Sequence, residues 1–173
     1  MSTILVGRKA PDFTTAAVLA NGEINGQFNL HKEIEKKYEI KLIGYGASMM
    51  SSIKEITLHF IDNKPQTIDQ SREKIVQITS ELISAFNSDL EIRPFLSNYP
   101  FNSEHFYITI SFEKKGKYLD DSISYVSKRK KIIDYCVYNE KEKKLVEMLE
   151  ENYEEAQQKA QLGTDKSHLS QAI

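Results

Sequence analysis

Residues 67–101 read TIDQSREKIVQITSELISAFNSDLEIRPFLSNYPF, and the rest of the chain is organised around them. Thr67 followed by Gln70 is a capping box: the hydroxyl accepts from a free amide of the first turn and the Gln side chain reaches back. Ile68, Ile75, Val76, Leu82, Ile83 and Phe86 recur at three- and four-residue steps, which places them on one face of a helix of about five turns. Asn87-Ser88-Asp89 ends that periodicity. Pro94 turns Arg93 away from helical angles, and Pro100 does the same for Tyr99. The expectation is one amphipathic helix over 67–87 that runs into a compact, aromatic-rich corner.

Strands flank this stretch on both sides. In 53–62, Ile56, Leu58 and Phe60 alternate with Glu55, Thr57 and His59; in 106–113, Phe106, Ile108, Ile110 and Phe112 alternate with Tyr107, Thr109, Ser111 and Glu113. Period-two alternation of this kind marks half-buried strands. KKGK at 114–117 is a turn. Segments 123–126 and 132–138 form a hairpin through SKRKK, and 144–149 adds a strand after the polar NEKEK turn. Before the helix, 31–38 is a short charged helix with Ile34 and Tyr38 one turn apart, and Ile40 to Ile43 starts a strand that Gly44-Tyr45-Gly46-Ala47-Ser48 interrupts. Asn152 caps a final helix, YEEAQQKA, and 163–173 carries no pattern and is expected to be disordered. The fold expected is α+β, a largely antiparallel sheet covered by helix 67–87 and by the short C-terminal helix.

At 173 residues, 40 % hydrophobic and 28 % charged, the chain has the composition of one globular domain with a sizeable core. A net charge of -2 gives no global attraction to nucleic acid or anionic membrane. One cysteine cannot close an intrachain disulfide, which points to a reducing compartment. The start, MSTILVGRKAPDF, has too short an apolar run for a signal peptide, and no run approaches 18 apolar residues. The expectation is a cytoplasmic protein with no membrane span.

Residues 1–30 read as a separate hairpin, 13–19 and 24–30 joined through Asn21-Gly22, which tolerates positive φ at both positions. VGRKAPDFTTAAVLANGEINGQFNL resembles the opening hairpin of the typical two-cysteine peroxiredoxins. That resemblance implies a thioredoxin-like redox enzyme with a PxxxTxxC catalytic segment further on. After Leu30 the chain continues HKEIEKKYEIKLIGYG instead, and Cys136 sits in IIDYCVYNE without the proline or threonine, so no catalytic residue carries over. A second resemblance spans 42–156: Met49-Met50, Ile53, Leu58, Phe60, Arg72, Asn87, the run IRPFLSNYPF at 92–101, Ile108, Ile110, Phe112, and Glu151 with YEEA at 153–156. It is similar to a family of small uncharacterised proteins of intracellular bacteria, some with secretory or lipoprotein leaders. That family tends to have a glycine in the SKRKK turn, which implies a longer or differently shaped loop here. The resemblance implies a fold unit and no mechanism. Three segments follow: 1–30, a peroxiredoxin-like hairpin; 31–162, an α+β domain; and 163–173, a tail.

Few residues invite chemistry. Arg72 lies on the apolar stripe of the helix, so its donors need acceptors, either an internal acid or a ligand or partner carboxylate. Arg93, Asn98 and Tyr99 cluster on the proline corner, as a polar recognition patch or as the bonds that hold the turn. Gly44-Tyr45-Gly46 lacks the third glycine of a nucleotide loop and is a bulge or connection. Met49-Met50 is a packing or edge feature. His31, His59, His105 and His168 are scattered with no ligand spacing, so no metal is expected. Ser48 lacks a GxSxG context. The basic turns at Lys114, Lys115, Lys117 and 128–131 could touch phosphates but read as solvated runs. Cys136 has no neighbouring base or cation to activate it. No cofactor and no catalytic set is visible. The expected function is a non-enzymatic binding or interaction protein of bacterial origin, with an unknown protein or a small anion as partner. The alternative is a peroxiredoxin-related redox protein that has lost its catalytic cysteine segment.

Overall fold

A computed structural model describes the backbone of residues 14–18, 24–49, 52–90, 92–120 and 122–170, and side chains over 32–48, 52–90, 92–120 and 122–162. The VGRKAPDF stretch, the Asn21-Gly22 turn, Met50 and the last three residues lie outside the described ones. Strands β1 (Thr14–Val18) and β2 (Ile24–Asn29) pair antiparallel as a two-stranded sheet of their own. Helix α1 (Leu30–Tyr38) follows, then β3 (Lys41–Met49), β4 (Ile53–Asp62), α2 (Ile68–Ser88) and β5 (Phe106–Lys114). The chain closes with β6 (Lys117–Tyr118), β7 (Tyr125–Arg129), β8 (Ile132–Asn139), β9 (Lys144–Asn152) and α3 (Tyr153–Ser170).

The main sheet runs β3-β4-β5-β7-β8-β9, with β6 paired on the end of β5. It is α+β and mostly antiparallel, as expected, with one exception: β4 and β5 are parallel. Parallel neighbours need a crossover of a dozen residues or more, and α2 with the proline corner is that crossover. Thr67 caps α2 with both halves of the capping box made, Gln70 N–H to Thr67 Oγ1 at 3.2 Å and Thr67 N–H to Gln70 Oε1 at 3.0 Å.

Register explains the core. Ile56, Leu58 and Phe60 of β4 pair with Phe106, Ile108 and Ile110 of β5. Ile108 and Ile110 pair in turn with Lys128 and Val126 of β7, and these with Ile133 and Tyr135 of β8. Residues paired across strands share a face, so this face carries the apolar set, and α2 lays Ile75, Val76, Leu82 and Phe86 over it. Ile78 and Thr79 are also fully buried, a wider arc than the periodicity suggested. The reason is α3, which packs beside α2 and contributes Tyr153 and Ala156 to the same core. Phe86, Phe101 and Phe106 cluster at the corner with ring centroids 5.3 to 6.3 Å apart, Phe106 edge-on to the other two and Phe86 and Phe101 near parallel.

Three local expectations are corrected. The strand expected to be interrupted over 44–48 runs on through Gly44-Tyr45-Gly46 to Met49, with only an irregular register between Leu42 and Gly44. Glycine in a strand often marks such a bulge, and β3 is an edge that pairs on one side only. The SKRKK segment is not a long loop: Arg129 pairs with Ile132, so Lys130-Lys131 is a two-residue turn with Lys130 at φ 51. Helix α3 runs on to Ser170, past Gly163 where the sequence pattern stops.

Candidate functional site

Arg72 is held from inside the protein. Its side chain comes off the apolar face of α2 and meets Glu151 of β9, with Nε donating to Glu151 Oε1 at 2.6 Å. Glu151 pairs with Ile133 across the β8–β9 register, and that pairing puts its carboxylate on the core face. Tyr135 Oη donates to the same oxygen at 2.7 Å, and Lys159 of α3 reaches Oε2 at 2.7 Å. Asp69, one turn before Arg72, takes a further guanidinium N–H. Burial alone would raise the pKa of Glu151, but the bonds from Arg72, Lys159 and Tyr135 outweigh it and hold the carboxyl below its ordinary value. Burial pushes the Tyr135 hydroxyl far up, with Glu151 adding to the effect. A second buried acid, Asp62, is matched by Lys74 of α2.

The proline corner divides the other three candidates. Asn87 closes the crossover: its Nδ2 donates to Phe101 O at 2.8 Å and its Oδ1 accepts from Phe101 N–H at 2.7 Å. Arg93 Nη2 donates to Asn87 O at 2.7 Å, and its guanidinium lies 4.6 Å from the centre of the Tyr99 ring, a cation–π stack. Arg93 is therefore a brace. Tyr99 is half exposed above it, and Asn98 is exposed on the outer side of the loop.

Asn98 faces a polar cleft of about 700 Å3 at this end of the sheet. Its walls come from three places that the topology brings together. Lys54 stands at the start of β4, tied to the corner by Ser97 N–H to Ile53 O at 2.8 Å. Asn98, Asn102 and His105 belong to the loop that leads into β5, and Lys130 sits at the tip of the β7–β8 turn. Ser97 completes the wall, and its hydroxyl is buried without a hydrogen-bond partner. His105 stacks on Phe101 with centroids 4.3 Å apart, and Nδ1 is turned to Asn102, 3.1 Å from its N–H and 2.8 Å from Oδ1. Nε2 is thus the ring nitrogen left for the cleft. Glu104, also in the wall, is bridged to Lys131 at 3.5 Å.

One lysine of the 128–131 run, expected from the sequence to be solvated, is buried and bonded to the corner loop. Register with Ile108 puts Lys128 on the core face, fully buried. Its ammonium donates to Ser103 O and, at 3.0 Å, to Phe106 O, and it lies 5.3 Å from the centre of the Tyr153 ring. Burial lowers its pKa to about 7, with Glu104 and Glu55 opposing that shift. The signal that could have found it was the strand period: counted from Val126, residue 128 points inward.

The opposite face of the sheet is polar. His59 Nε2 lies 3.0 Å from Ser111 Oγ, Ser127 Oγ donates to Asp134 Oδ2 at 3.2 Å, and Arg129 sits 5.3 Å from the centre of the Tyr107 ring. Cys136 lies half-buried on this face, and burial, then Asp134 and Glu147, raise its thiol pKa. Asp134, Glu147 and Glu150 bring carboxylate oxygens within 4.8 Å of one another, with no imidazole among them. Gly44-Tyr45-Gly46 lies in an edge strand and not at a helix N-terminus, so it is no phosphate loop. Among the described residues no helix is long and apolar enough to cross a membrane.

No family model matches this sequence, and comparison with curated proteins and with solved structures finds no significant match.

Proposed function

We propose that this chain is a non-enzymatic binding module that works through the corner end of its sheet. One contrast carries the reading. The buried charges of the core, Arg72, Glu151, Asp62 and Lys128, each have an internal partner, so they serve the fold. At the corner, the ammonium groups of Lys54 and Lys130 have no ion-pair or hydrogen-bond partner among the described residues, and the Ser97 hydroxyl is buried unpaired. Polar groups left unpaired on a rigid scaffold, at the end of a sheet and on connecting loops, are what a recognition site requires.

The thiol supports the same side of the choice. A peroxidatic cysteine reacts as its thiolate and needs a lowered pKa, whereas Cys136 is pushed the other way by burial and by two neighbouring acids. The deciding experiment offers the whole chain a panel of small anions, cations, neutral polar compounds and short peptides. It follows amide chemical shifts and product formation together. The reading expects saturable shifts at the corner with the bound compound recovered unchanged. Conversion of a bound compound, or shifts confined to the opposite face of the sheet, would refute it.

A further inference from the structure

The cleft has the chemistry of a particular ligand class. Lys54 and Lys130 give two unpaired positive charges, while the one acid of the wall, Glu104, is already bridged to Lys131. The donors around them are neutral and fixed in place. His105 is stacked on Phe101 and has Nδ1 turned to Asn102, which leaves Nε2 as the ring nitrogen on offer to the cleft. Asn102 has Oδ1 occupied by Glu104 N–H at 3.0 Å, so its amide NH2 is what it has left to offer. Ser97 carries a buried hydroxyl with no partner, and leaving such a group unpaired is costly. Lysine ammonium groups bind phosphate as point charges, and a phosphomonoester brings close to two negative charges to match the two of them.

We propose that the cleft between the start of β4, the 97–105 loop and the β7–β8 turn binds the phosphate group of a small, hydrophilic phosphomonoester. Lys54 and Lys130 supply the charge, and Ser97, Asn98, Asn102 and His105 supply hydrogen bonds. This deepens the binding-module reading and rests on it. Size agrees: about 700 Å3 lies within the range of small-molecule sites, and the lining residues are all of polar or charged type, which suits a hydrophilic ligand. A nucleic-acid strand fits less well. Only two unpaired cations face the cleft, Glu104 sits among them, and the chain is net negative.

Lys128 gives the wall its stiffness. Its ammonium holds Ser103 O and Phe106 O from below, and these bracket the Glu104-His105 segment. The 102–105 turn therefore does not have to be ordered by the ligand, which lowers the entropy lost on binding.

The test titrates the full chain with inorganic phosphate, glycerol phosphate, acetate and citrate, reading amide shifts and apparent affinity. The expected result is a saturable response to glycerol phosphate at Ser97, Asn98, Asn102, His105 and Lys130, weakening with added salt. Lys54→Gln combined with Lys130→Gln should weaken it at least tenfold while leaving the thermal midpoint unchanged, since both lysines are exposed. A response to acetate or citrate at the corner with none to either phosphate compound overturns the ligand class and leaves the binding reading standing. Silence at the corner for all four, alongside silence for the wider panel, overturns both. A phosphate response that survives the double substitution overturns the assignment of these residues.

Discussion

Arg72→Ala is the sharpest perturbation of the fold. Arg72 is 7 % exposed and Glu151 6 %, so the pair is desolvated on both sides. Breaking a buried pair by removing one partner costs on the order of 3–5 kcal/mol, because the other charge stays buried. Here the loss should sit near the low end, about 3 kcal/mol, since Tyr135 and the half-exposed Lys159 still reach Glu151. The Asp69 arm adds little, as that carboxylate is 89 % exposed. With a urea slope of about 2 kcal/mol per M, the midpoint falls by roughly 1.5 M. Far-UV circular dichroism is the suitable probe, because the chain has no Trp. Replacing both partners by apolar groups, Arg72→Met with Glu151→Leu, should return the midpoint close to that of the parent. An Arg72→Leu variant as stable as the parent, or an Arg72→Ala variant within about 0.5 kcal/mol of it, would refute the internal pairing and restore Arg72 as a ligand contact. The pair also sets an acid limit. Glu151 has a depressed folded pKa, so its contribution is complete above its ordinary value of 4.5 and is lost as pH falls through the lower folded value.

Lys128 predicts an opposite, alkaline effect. Its folded pKa of about 7 lies below its ordinary 10.5, so between these the unfolded chain holds more protons and stability rises with pH. The groups facing it are Glu104, Glu55 and the Tyr153 ring, and subtracting a Lys128→Met unfolding profile from that of the parent should isolate this rise. A flat difference between pH 7 and 10 would show that the ammonium is not desolvated. Hydrogen peroxide should not be consumed with thioredoxin-type reductants; turnover that vanishes on Cys136→Ser would reverse this. A chain starting near His31 should keep a cooperative unfolding transition, because β1 and β2 pair only with each other. Loss of that transition would show that the hairpin completes the core.

The sequence made the helix and the strand faces legible because each rests on a local period. The stripe of α2, its capping box and the alternations in β4 and β5 are properties of consecutive residues. What it left hidden depends on register between distant strands. Glu151 becomes the partner of Arg72 only because β9 pairs with β8 in one particular alignment. Lys128 is buried only because β7 extends three residues past Val126 before turning. The parallel β4–β5 pair was implicit in the long connection through α2, but the alternation in each strand is the same for either direction. Among the candidate residues, Asn98 alone faces the cleft; the cleft residues, from Lys54 to Lys130, are spread over 76 positions, a separation that no spacing motif covers.

That distance bears on why the corner suits recognition. A loop that carries function has to be held by something other than its ligand, and here one of the holding groups, Arg93, is a candidate from the sequence, while Asn87 and Lys128 are not. Asn87 fastens the end of α2 to Phe101, Arg93 fastens Asn87 and stacks on Tyr99, and Lys128 fastens Ser103 to the start of β5. Each of these is a charged or amide side chain whose hydrogen bonds go to main-chain groups, which is how irregular backbone is stabilised where no ladder is available. The cleft residues sit between those three fasteners and are engaged less: Lys54 and Lys130 bear unpaired charge, and Ser97 keeps an unpaired hydroxyl. Substitutions at the fasteners should therefore act on folding first and on binding through it. Substitutions at Lys54 and Lys130 should act on binding alone, and that division is the physical distinction between the frame of this site and its contents.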